Sequence, residues 1–277
     1  VHSYIWCDGK KYKKLGIDVE DNVRILNIAT PENGTLRNSM LPTLLTFAYE
    51  NRKYADKFGI FEVGRTVCGT DENGFCNERR KLGIVMFSKT ETEKELFLRA
   101  ASTVRYIVLS LKHSEAEFEN IMPEHHWPHP NTTAKIYAGG AEIGVLCTLH
   151  PYNLGKIDKN AAVVCIEIDM EQLAAAKVCD IEFAEPSKFP SVDFDLSVIM
   201  PDGKKYADAA KAWESGDMPE LKDVKVIDIY EKDGEKSITL RFEFSLAERT
   251  LTGEEVQKNM NIIIEKLKEN GFSIKSE

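Results

Sequence analysis

Between residues 237 and 244, apolar side chains alternate strictly with polar ones. This pattern is typical of a strand with one face buried and one face open. Asp233-Gly234 predicts a hairpin turn that joins this strand to an earlier one over Val224–Tyr230. After the strand, Thr252 and Glu255 stand at capping-box spacing and predict the start of an amphipathic helix.

Three further segments complete the C-terminal pattern. Phe194–Met200 is an apolar-rich run that predicts a strand, and Lys205–Trp213 is rich in helix formers. Phe272–Lys275 predicts a short last strand. The resulting order, β-α-β-β-α-β, is that of a ferredoxin-like domain, whose two helices cover one sheet face. We therefore expect the polar face of this sheet to be open as a binding platform.

The N-terminal region predicts long antiparallel strands with few helices between them, which favours an α+β fold over a doubly wound one. A polar stretch at Glu182–Lys188 predicts the boundary between domains at 1–182 and 187–277. The helices are predicted at Leu41–Arg52 and Glu93–Leu111. The strands are predicted at Val23–Ile28, Gly59–Thr66, Leu82–Phe87, Ala134–Tyr137, Ile143–Thr148 and Ala162–Ile168.

Composition excludes several classes of protein. The 277 residues are 43% hydrophobic and 29% charged, which is a globular composition. No apolar run approaches the ~18 residues of a membrane span. The net charge of −9 argues against avid non-specific nucleic-acid binding, although it permits a shaped RNA site. The opening Val1-His-Ser-Tyr suggests an excised fragment or a processed chain rather than a secreted precursor.

Candidate catalytic and metal-binding motifs are weak. Gly139–Gly144 resembles a glycine-rich phosphate loop, but a strand follows it, which favours a hairpin turn. His125, His126 and His129 lack further ligands at metal spacing, so a packing or solvated loop is favoured over a zinc site. The six cysteines contain no C-x-x-C pair, which favours buried thiols in a reducing cytosol over disulfides or a metal site. They are Cys7, Cys68, Cys76, Cys147, Cys165 and Cys179.

Two further pairs of residues are candidate catalytic groups. Cys147 and His150 are three residues apart on an extended segment and should point to opposite faces, which argues against a nucleophile and base. Asp193 and Asp195 share a strand face as paired carboxylates would, but an exposed acidic edge is the favoured interpretation. No constellation in the sequence predicts an active site.

The first region resembles the catalytic-like domain of the bacterial phenylalanyl-tRNA synthetase beta subunit. The most specific part is the Leu-Arg…Leu-Pro run within Leu36–Leu45. Other matching residues are Asn27, Asn51, Gly59–Arg65, His129-Pro130, Ala134, Gly144–Pro151, Glu167–Asp169 and Leu173. The second region resembles the ferredoxin-fold anticodon-binding domain of the same subunit. It matches at Phe189-Pro190, Asp195-Leu196, Asp228–Tyr230, Lys236-Ser237, Glu248–Thr252 and Glu255-Val256.

This resemblance implies a division of labour between subunits. In that family the alpha subunit binds phenylalanine and ATP, while the matching beta domain keeps a class II synthetase-like antiparallel fold and serves the subunit interface. The chain is therefore expected to be inactive alone and to bind no cofactor, with ATP and magnesium used by the whole enzyme. The implied partners are the alpha subunit and tRNA-Phe in the cytoplasm, with no DNA and no membrane.

The family's anticodon contacts, carried over by position, imply five tRNA-binding residues. Phe194 can stack on an unpaired base, and Asp228 can accept hydrogen bonds from a guanine edge. Arg241 shares the polar face with Ser237 and can contact a phosphate or stack. The expected set is Pro190, Phe194, Asp228, Ser237 and Arg241. A different interpretation makes Ser237 and Asp228 a cross-hairpin pair and Phe194 a core residue.

The sequence departs from the family at several positions. Asp193 and Phe194 stand where basic residues are usual, and Ile28 stands where proline is frequent. Asn131-Thr132 replace a Gly-Arg pair. The alternative hypothesis is a freestanding, non-catalytic paralogue that acts as a protein-interaction module without RNA binding.

Overall fold

The computed structural model describes residues 1–18, 22–28, 30, 34–180, 187–214, 218–232 and 234–275. The chain divides into two compact units, Val1–Ile181 and Glu182–Glu277. The boundary predicted at Glu182–Lys188 falls largely on residues 182–186, which lie outside the described ranges, and the functional division into domains stays a prediction. Within these ranges, no helix combines the length and apolarity needed to cross a membrane.

The first unit is built around one antiparallel sheet of six strands in the order β3-β4-β8-β7-β6-β5, beside a two-stranded ladder of β1 and β2. Its elements in chain order are β1 (Trp6–Cys7), α1 (Gly9–Lys14), β2 (Thr35–Leu36), α2 (Leu41–Asn51), β3 (Lys57–Thr70), β4 (Cys76–Ser88), α3 (Glu93–Lys112), β5 (Ala116–Asn120), β6 (Pro128–Ala138), β7 (Ala141–Leu149), α4 (Pro151–Ile157), β8 (Ala162–Asp169) and α5 (Met170–Ala175).

The six-stranded sheet has a hydrophobic core on each face. Leu44 of α2 packs with Phe87 and Cys165 in the core on one face. On the other face, Leu96 and Val104 of α3 belong to a second core. Alternation along the strands explains this division, since successive side chains point to opposite faces.

The second unit is a four-stranded antiparallel sheet in the order β10-β11-β9-β12. Two helices connect the strands, so the β-α-β-β-α-β order and the ferredoxin-like class are confirmed. Gly234 at the β10–β11 turn has φ +84°, a conformation that favours glycine, while Asp233 lies outside the described residues. The elements are β9 (Val192–Met200), α6 (Tyr206–Glu214), β10 (Leu221–Lys232), β11 (Glu235–Phe244), α7 (Gly253–Glu269) and β12 (Ser273–Ile274).

The core of the second unit follows the alternation seen in the sequence. Phe242 and Phe244 are fully buried and pack with Met260 and Leu267 of α7. The capping box of α7 is confirmed: the Thr252 hydroxyl accepts from the Glu255 backbone N–H at 3.4 Å, and the Glu255 carboxylate accepts from the Thr252 N–H at 2.9 Å.

The N-terminal predictions were right for the long elements and incomplete for the short ones. The predicted strands from Gly59 onward lie within β3, β4, β6, β7 and β8, and both predicted helices form. The strand predicted at Val23–Ile28 is wrong, because this segment makes only an isolated bridge between Arg24 and Thr35. The α+β prediction with an antiparallel sheet is confirmed.

Candidate functional site

The candidate site is the face of the second unit's sheet that points away from its helices, which we call the polar face. Directly opposed residues in antiparallel strands share a face, so the register defines it. Four rows cross the sheet: Asp223–Glu243–Asp193, Lys225–Arg241–Asp195, Asp228–Thr239–Ser197 and Tyr230–Ser237–Ile199–Ser273.

At one end of the polar face, Arg241 is held by carboxylates. Its Nε donates to Asp195 Oδ1 at 2.7 Å and a terminal nitrogen donates to Asp195 Oδ2 at 2.7 Å, which is a bidentate pair. Asp193 lies 3.9 Å from another guanidinium nitrogen. The hydrogen bond from Arg241 lowers the pKa of Asp195. Two donors of the Arg241 guanidinium are therefore bound to Asp195, so Arg241 is not the free cation for a phosphate that the sequence predicted.

The two aspartates lie on an exposed edge of the sheet, as the sequence predicts. β12 pairs with β9 only at Ile199 and Val198, so within the described residues the Asp193–Asp195 stretch has a partner strand on the β11 side alone. Both aspartates are exposed, and their carboxylates are also ion-pair partners of Arg241.

Lys225 pairs with two neighbouring carboxylates. Its Nζ lies 3.0 Å from Asp223 Oδ2 and 3.3 Å from Glu243 Oε2. These hydrogen bonds, the one to Asp223 first, raise the pKa of Lys225. The two cations at this end, Lys225 and Arg241, thus face four carboxylates, for a net charge of 2 − 4 = −2. This charge disfavours an RNA phosphate at this end of the polar face.

The opposite end carries groups that the fold leaves available. The Tyr230 ring is 49% exposed, and Lys275 Nζ lies 5.1 Å from the ring centroid, a cation–π distance. Asp228 Oδ1 accepts from the backbone N–H of Ile229 at 2.9 Å. Within the described ranges, the Asp228 carboxylate makes no other hydrogen bond and Lys275 has no acidic partner.

Tyr230 is absent from the five tRNA-binding residues expected from the sequence, although it lies in the matching Asp228–Tyr230 motif. The signal was present, because residues two apart on a strand share a face, so Asp228 and Tyr230 had to point the same way. Lys275 carried no such signal, since its position depends on how β12 pairs with β9.

The other three residues predicted to bind tRNA, Ser237, Phe194 and Pro190, do not all lie exposed on the polar face. Ser237 lies on the polar face but is only 6% exposed, flanked by Tyr230 and Ile199. Phe194 pairs with Phe242, lies on the helix-covered face and packs against the core. Pro190 is exposed just before β9. The structure thus gathers Asp228, Ser237 and Arg241 on one face, with Phe194 on the other.

The first unit contains an open cavity of about 1070 Å³ on the α2 side of its sheet. Its two lysines are already paired: Lys81 with Glu167 at 2.9 Å and Lys135 with Glu142 at 2.6 Å. With Asp169 also lining the cavity, carboxylates outnumber these cations. A polyphosphate such as that of ATP needs uncommitted cations or backbone donors, so this lining does not fit it.

The weak motifs resolve into structural roles. Gly139 and Gly140 have φ of +56° and +79° and form the two-residue turn between β6 and β7, so the predicted hairpin is confirmed. His150 Nδ1 accepts from the Tyr152 N–H at the start of α4. Among the residues that the structure describes, no three His, Cys, Asp or Glu side chains form a group able to hold a metal ion.

Comparison with known proteins agrees with this architecture. The family model described as the phenylalanyl tRNA synthetase beta chain CLM domain matches residues 1–170, and the ferredoxin-fold anticodon binding domain matches residues 187–275. The phenylalanine–tRNA ligase beta subunit of Leptospira biflexa is 28% identical, over 92% of this chain and 33% of its own length. That of Campylobacter jejuni is 26% identical over 98% of this chain and 35% of its own.

A solved structure, a pyrrolysyl tRNA synthetase from Desulfitobacterium hafniense, is 17% identical and covers 63% of this chain and 58% of its own, with a TM-score of 0.49. The chain spans about a third of the length of the curated relatives it matches. Because one family model alone covers residues 1–170 of the 277, the chain belongs to the phenylalanyl-tRNA synthetase beta chain family.

Proposed function

We propose that this chain is part of a phenylalanine–tRNA ligase, in which it binds the tRNA-Phe anticodon and supports assembly with the alpha subunit. The observation that carries the proposal is the open polar face on a domain that matches the ferredoxin-fold anticodon binding family. The names of the relatives support the enzyme class. The complete ligase would charge tRNA-Phe in an ATP-dependent reaction in the cytoplasm.

The end of the polar face that carries Tyr230 is the proposed anticodon site. A half-exposed tyrosine ring offers a stacking surface for an unpaired base, worth about 1–3 kcal/mol per base. Asp228 has a free carboxylate oxygen that can accept from the donor edge of a guanine. Lys275 supplies a cation beside the ring for a nearby phosphate. Arg241 would shape the sheet surface rather than contact RNA, since its donors are bound to Asp195.

Binding by a few positioned contacts also reconciles RNA recognition with an acidic domain. From Ser187 onward the chain carries 14 basic and 19 acidic residues, a net charge of 14 − 19 = −5. Such a domain gains little from non-specific attraction to the phosphate backbone. We therefore expect stacking and base-edge hydrogen bonds to contribute most of its affinity.

The first unit is proposed to act in assembly and not in catalysis. The two lysines of its cavity are already in ion pairs and carboxylates outnumber them, which argues against ATP binding there. Phenylalanine, ATP and magnesium would then be held by the alpha subunit. Exposed apolar side chains at the β3 edge of the sheet support a protein partner. Exposed Val63 lines a cavity together with the stacked Tyr4 and Trp6 rings, and Phe61, two residues earlier on the same strand, is also exposed.

Assembly can be tested by co-expressing this chain with the alpha subunit of the same organism and determining the mass of the purified species by analytical ultracentrifugation. A stable complex is expected. If both partners are folded but sediment separately, the assembly role of this region is refuted and the freestanding paralogue becomes the better hypothesis.

RNA binding is tested separately with the complete ligase. Tyr230→Ala should weaken tRNA-Phe binding by about tenfold or more, because a stacking surface is lost. Ile229→Ala is the matched control, since Ile229 is similarly exposed on the same strand but points to the opposite face. Equal affinity in both variants and the unaltered protein would refute the polar face as the binding surface.

A further inference from the structure

Two buried cysteines face each other on neighbouring strands of the first unit. Cys147 of β7 and Cys165 of β8 are directly opposed in the antiparallel register. They are 1% and 0% exposed and belong to the same hydrophobic core. Both are free thiols.

This register meets the geometric requirement for a disulfide. Directly opposed residues of an antiparallel pair have Cα atoms about 4.5–5.5 Å apart, within the roughly 4.4–6.8 Å that disulfides span. The side chains lie on the same face of the sheet. The neighbouring Cys147 thiol and burial together raise the pKa of Cys165.

The pair is also placed where a small reagent can reach it. Cys147 lines the open cavity of about 1070 Å³ on this face of the sheet, whereas Cys165, beside it on the neighbouring strand, does not line this cavity. Cys147 is therefore the thiol that a reagent entering the cavity meets first, and Cys165 is positioned to react with the product.

We propose that Cys147 and Cys165 form a peroxide-dependent cross-strand disulfide in which Cys147 is oxidised first. The Cys147 sulfur attacks a hydroperoxide oxygen and the O–O bond breaks. The thiol proton passes to the leaving oxygen, which departs as an alcohol, or as water when the reagent is hydrogen peroxide, and Cys147 becomes a sulfenic acid. The Cys165 sulfur then attacks the sulfenic sulfur, forming the S–S bond and breaking the S–O bond, and the second oxygen leaves as water. Two thiols thereby lose two protons and two electrons to one hydroperoxide.

The bond would close the loop of residues 148–164, which contains α4. Asn153 of α4 donates hydrogen bonds to the carbonyls of Leu15 and Gly16 at 2.8 and 3.0 Å. The disulfide would therefore restrain a segment that connects the sheet to the region of α1. Because cross-linking restricts the unfolded chain, the oxidised protein should unfold at a higher denaturant concentration.

The test uses the 277-residue chain with Cys68→Ser and Cys76→Ser, which removes the two exposed thiols and leaves four of the six cysteines. After hydrogen peroxide treatment, denaturation and alkylation, two cysteines should escape alkylation, and the mass before alkylation should be lower by about 2 Da, the two hydrogens lost. Peptide mapping should find one linkage, between the peptides containing Cys147 and Cys165, that a thiol reductant reverses. Four alkylated cysteines, or a linkage between any other pair, would overturn the proposal.

A second variant tests the order of the steps. With Cys165→Ala in the same background, Cys147 lacks its resolving thiol and should accumulate as a sulfenic acid that dimedone traps. The matched variant Cys147→Ser should give no dimedone adduct at Cys165. An adduct at Cys165 but none at Cys147 would contradict the assignment of the first oxidised thiol.

Discussion

Glu167 joins the central sheet of the first unit to the start of α2. Its Oε1 accepts from the Met40 backbone N–H at 2.6 Å and from the Ser39 hydroxyl at 2.7 Å, and its Oε2 accepts from Lys81 Nζ at 2.9 Å. No side chain at the Met40 N-cap position of α2 caps the helix, so a carboxylate from β8 performs that role. We predict that Glu167→Ala destabilises the first unit strongly.

The expected magnitude follows from the burial of this network. The side chains of Glu167 and Lys81 are 10% and 17% exposed. Burial opposes the charge on Lys81, yet the Glu167 carboxylate raises the pKa of Lys81 overall, so the pair is a coupled unit. Removing one partner of a buried ion pair costs about 3–5 kcal/mol, part of which is the unsatisfied group left behind. Glu167→Gln should cost less, because its amide oxygen can still accept from the N–H of Met40.

Urea unfolding of the chain in a Trp6→Phe and Trp213→Phe background, followed by the fluorescence of the buried Trp127, measures this cost. Glu142→Ala is the control, because Glu142 lines the same cavity but is 49% exposed in its pair with Lys135. An exposed pair of this kind contributes about 0–1 kcal/mol. If Glu167→Ala and Glu142→Ala shift the unfolding free energy equally, the contact of Glu167 with the start of α2 is not a stabilising element.

Two further predictions concern stability. Gly144→Ala should lower the unfolding free energy by more than about 1–3 kcal/mol, because the added Cβ would lie 2.0 Å from the carbonyl oxygen of Glu167. Gly59→Ala on β3 is the control, since its Cβ would meet open space and should change the unfolding free energy little. Equal effects of the two substitutions would contradict the close packing at Gly144. The hydrogen bond from Arg249, followed by those from the backbone and hydroxyl of Thr252, lowers the pKa of Glu255 to about 2. Because the folded pKa is depressed, this stabilisation is complete above about pH 4.5 and is lost as the pH falls toward 2. Denaturant titrations should show the stability gap between the unaltered protein and Glu255→Gln narrowing over that range, and a constant gap would refute the assignment.

The second unit was predictable because each of its signals is local. Strict alternation in β11 and the capping box at Thr252 fix a strand and a helix start without knowledge of tertiary contacts. The short elements of the first unit lack such signals. Helix α1 has only Tyr12 buried among lysines, and the short helix α4 contains Gly155. Neither helix is long enough for its apolar residues to show a helical repeat in the sequence.

The sequence predicted which sheet face carries the candidate site, but not which side chains on that face are left to contact a ligand. Alternation placed Arg241 and Ser237 on the polar side, as observed. Which groups remain available depends on the strand register: Asp195 in β9 binds Arg241, and Tyr230 lies directly opposite Ser237. Register joins residues that are distant in sequence, so no single segment reveals it.

The most direct test of the account measures whether the ligase reads the anticodon through Asp228. Dissociation constants would be determined for tRNA-Phe and for a tRNA-Phe with a substituted anticodon guanine, using the complete ligase with and without Asp228→Asn. The unaltered enzyme should prefer the natural anticodon by about tenfold, and Asp228→Asn should lose most of this preference while ATP-dependent phenylalanine activation stays unchanged. Equal binding of both tRNAs by the unaltered enzyme, or full discrimination by Asp228→Asn, would contradict the central claim.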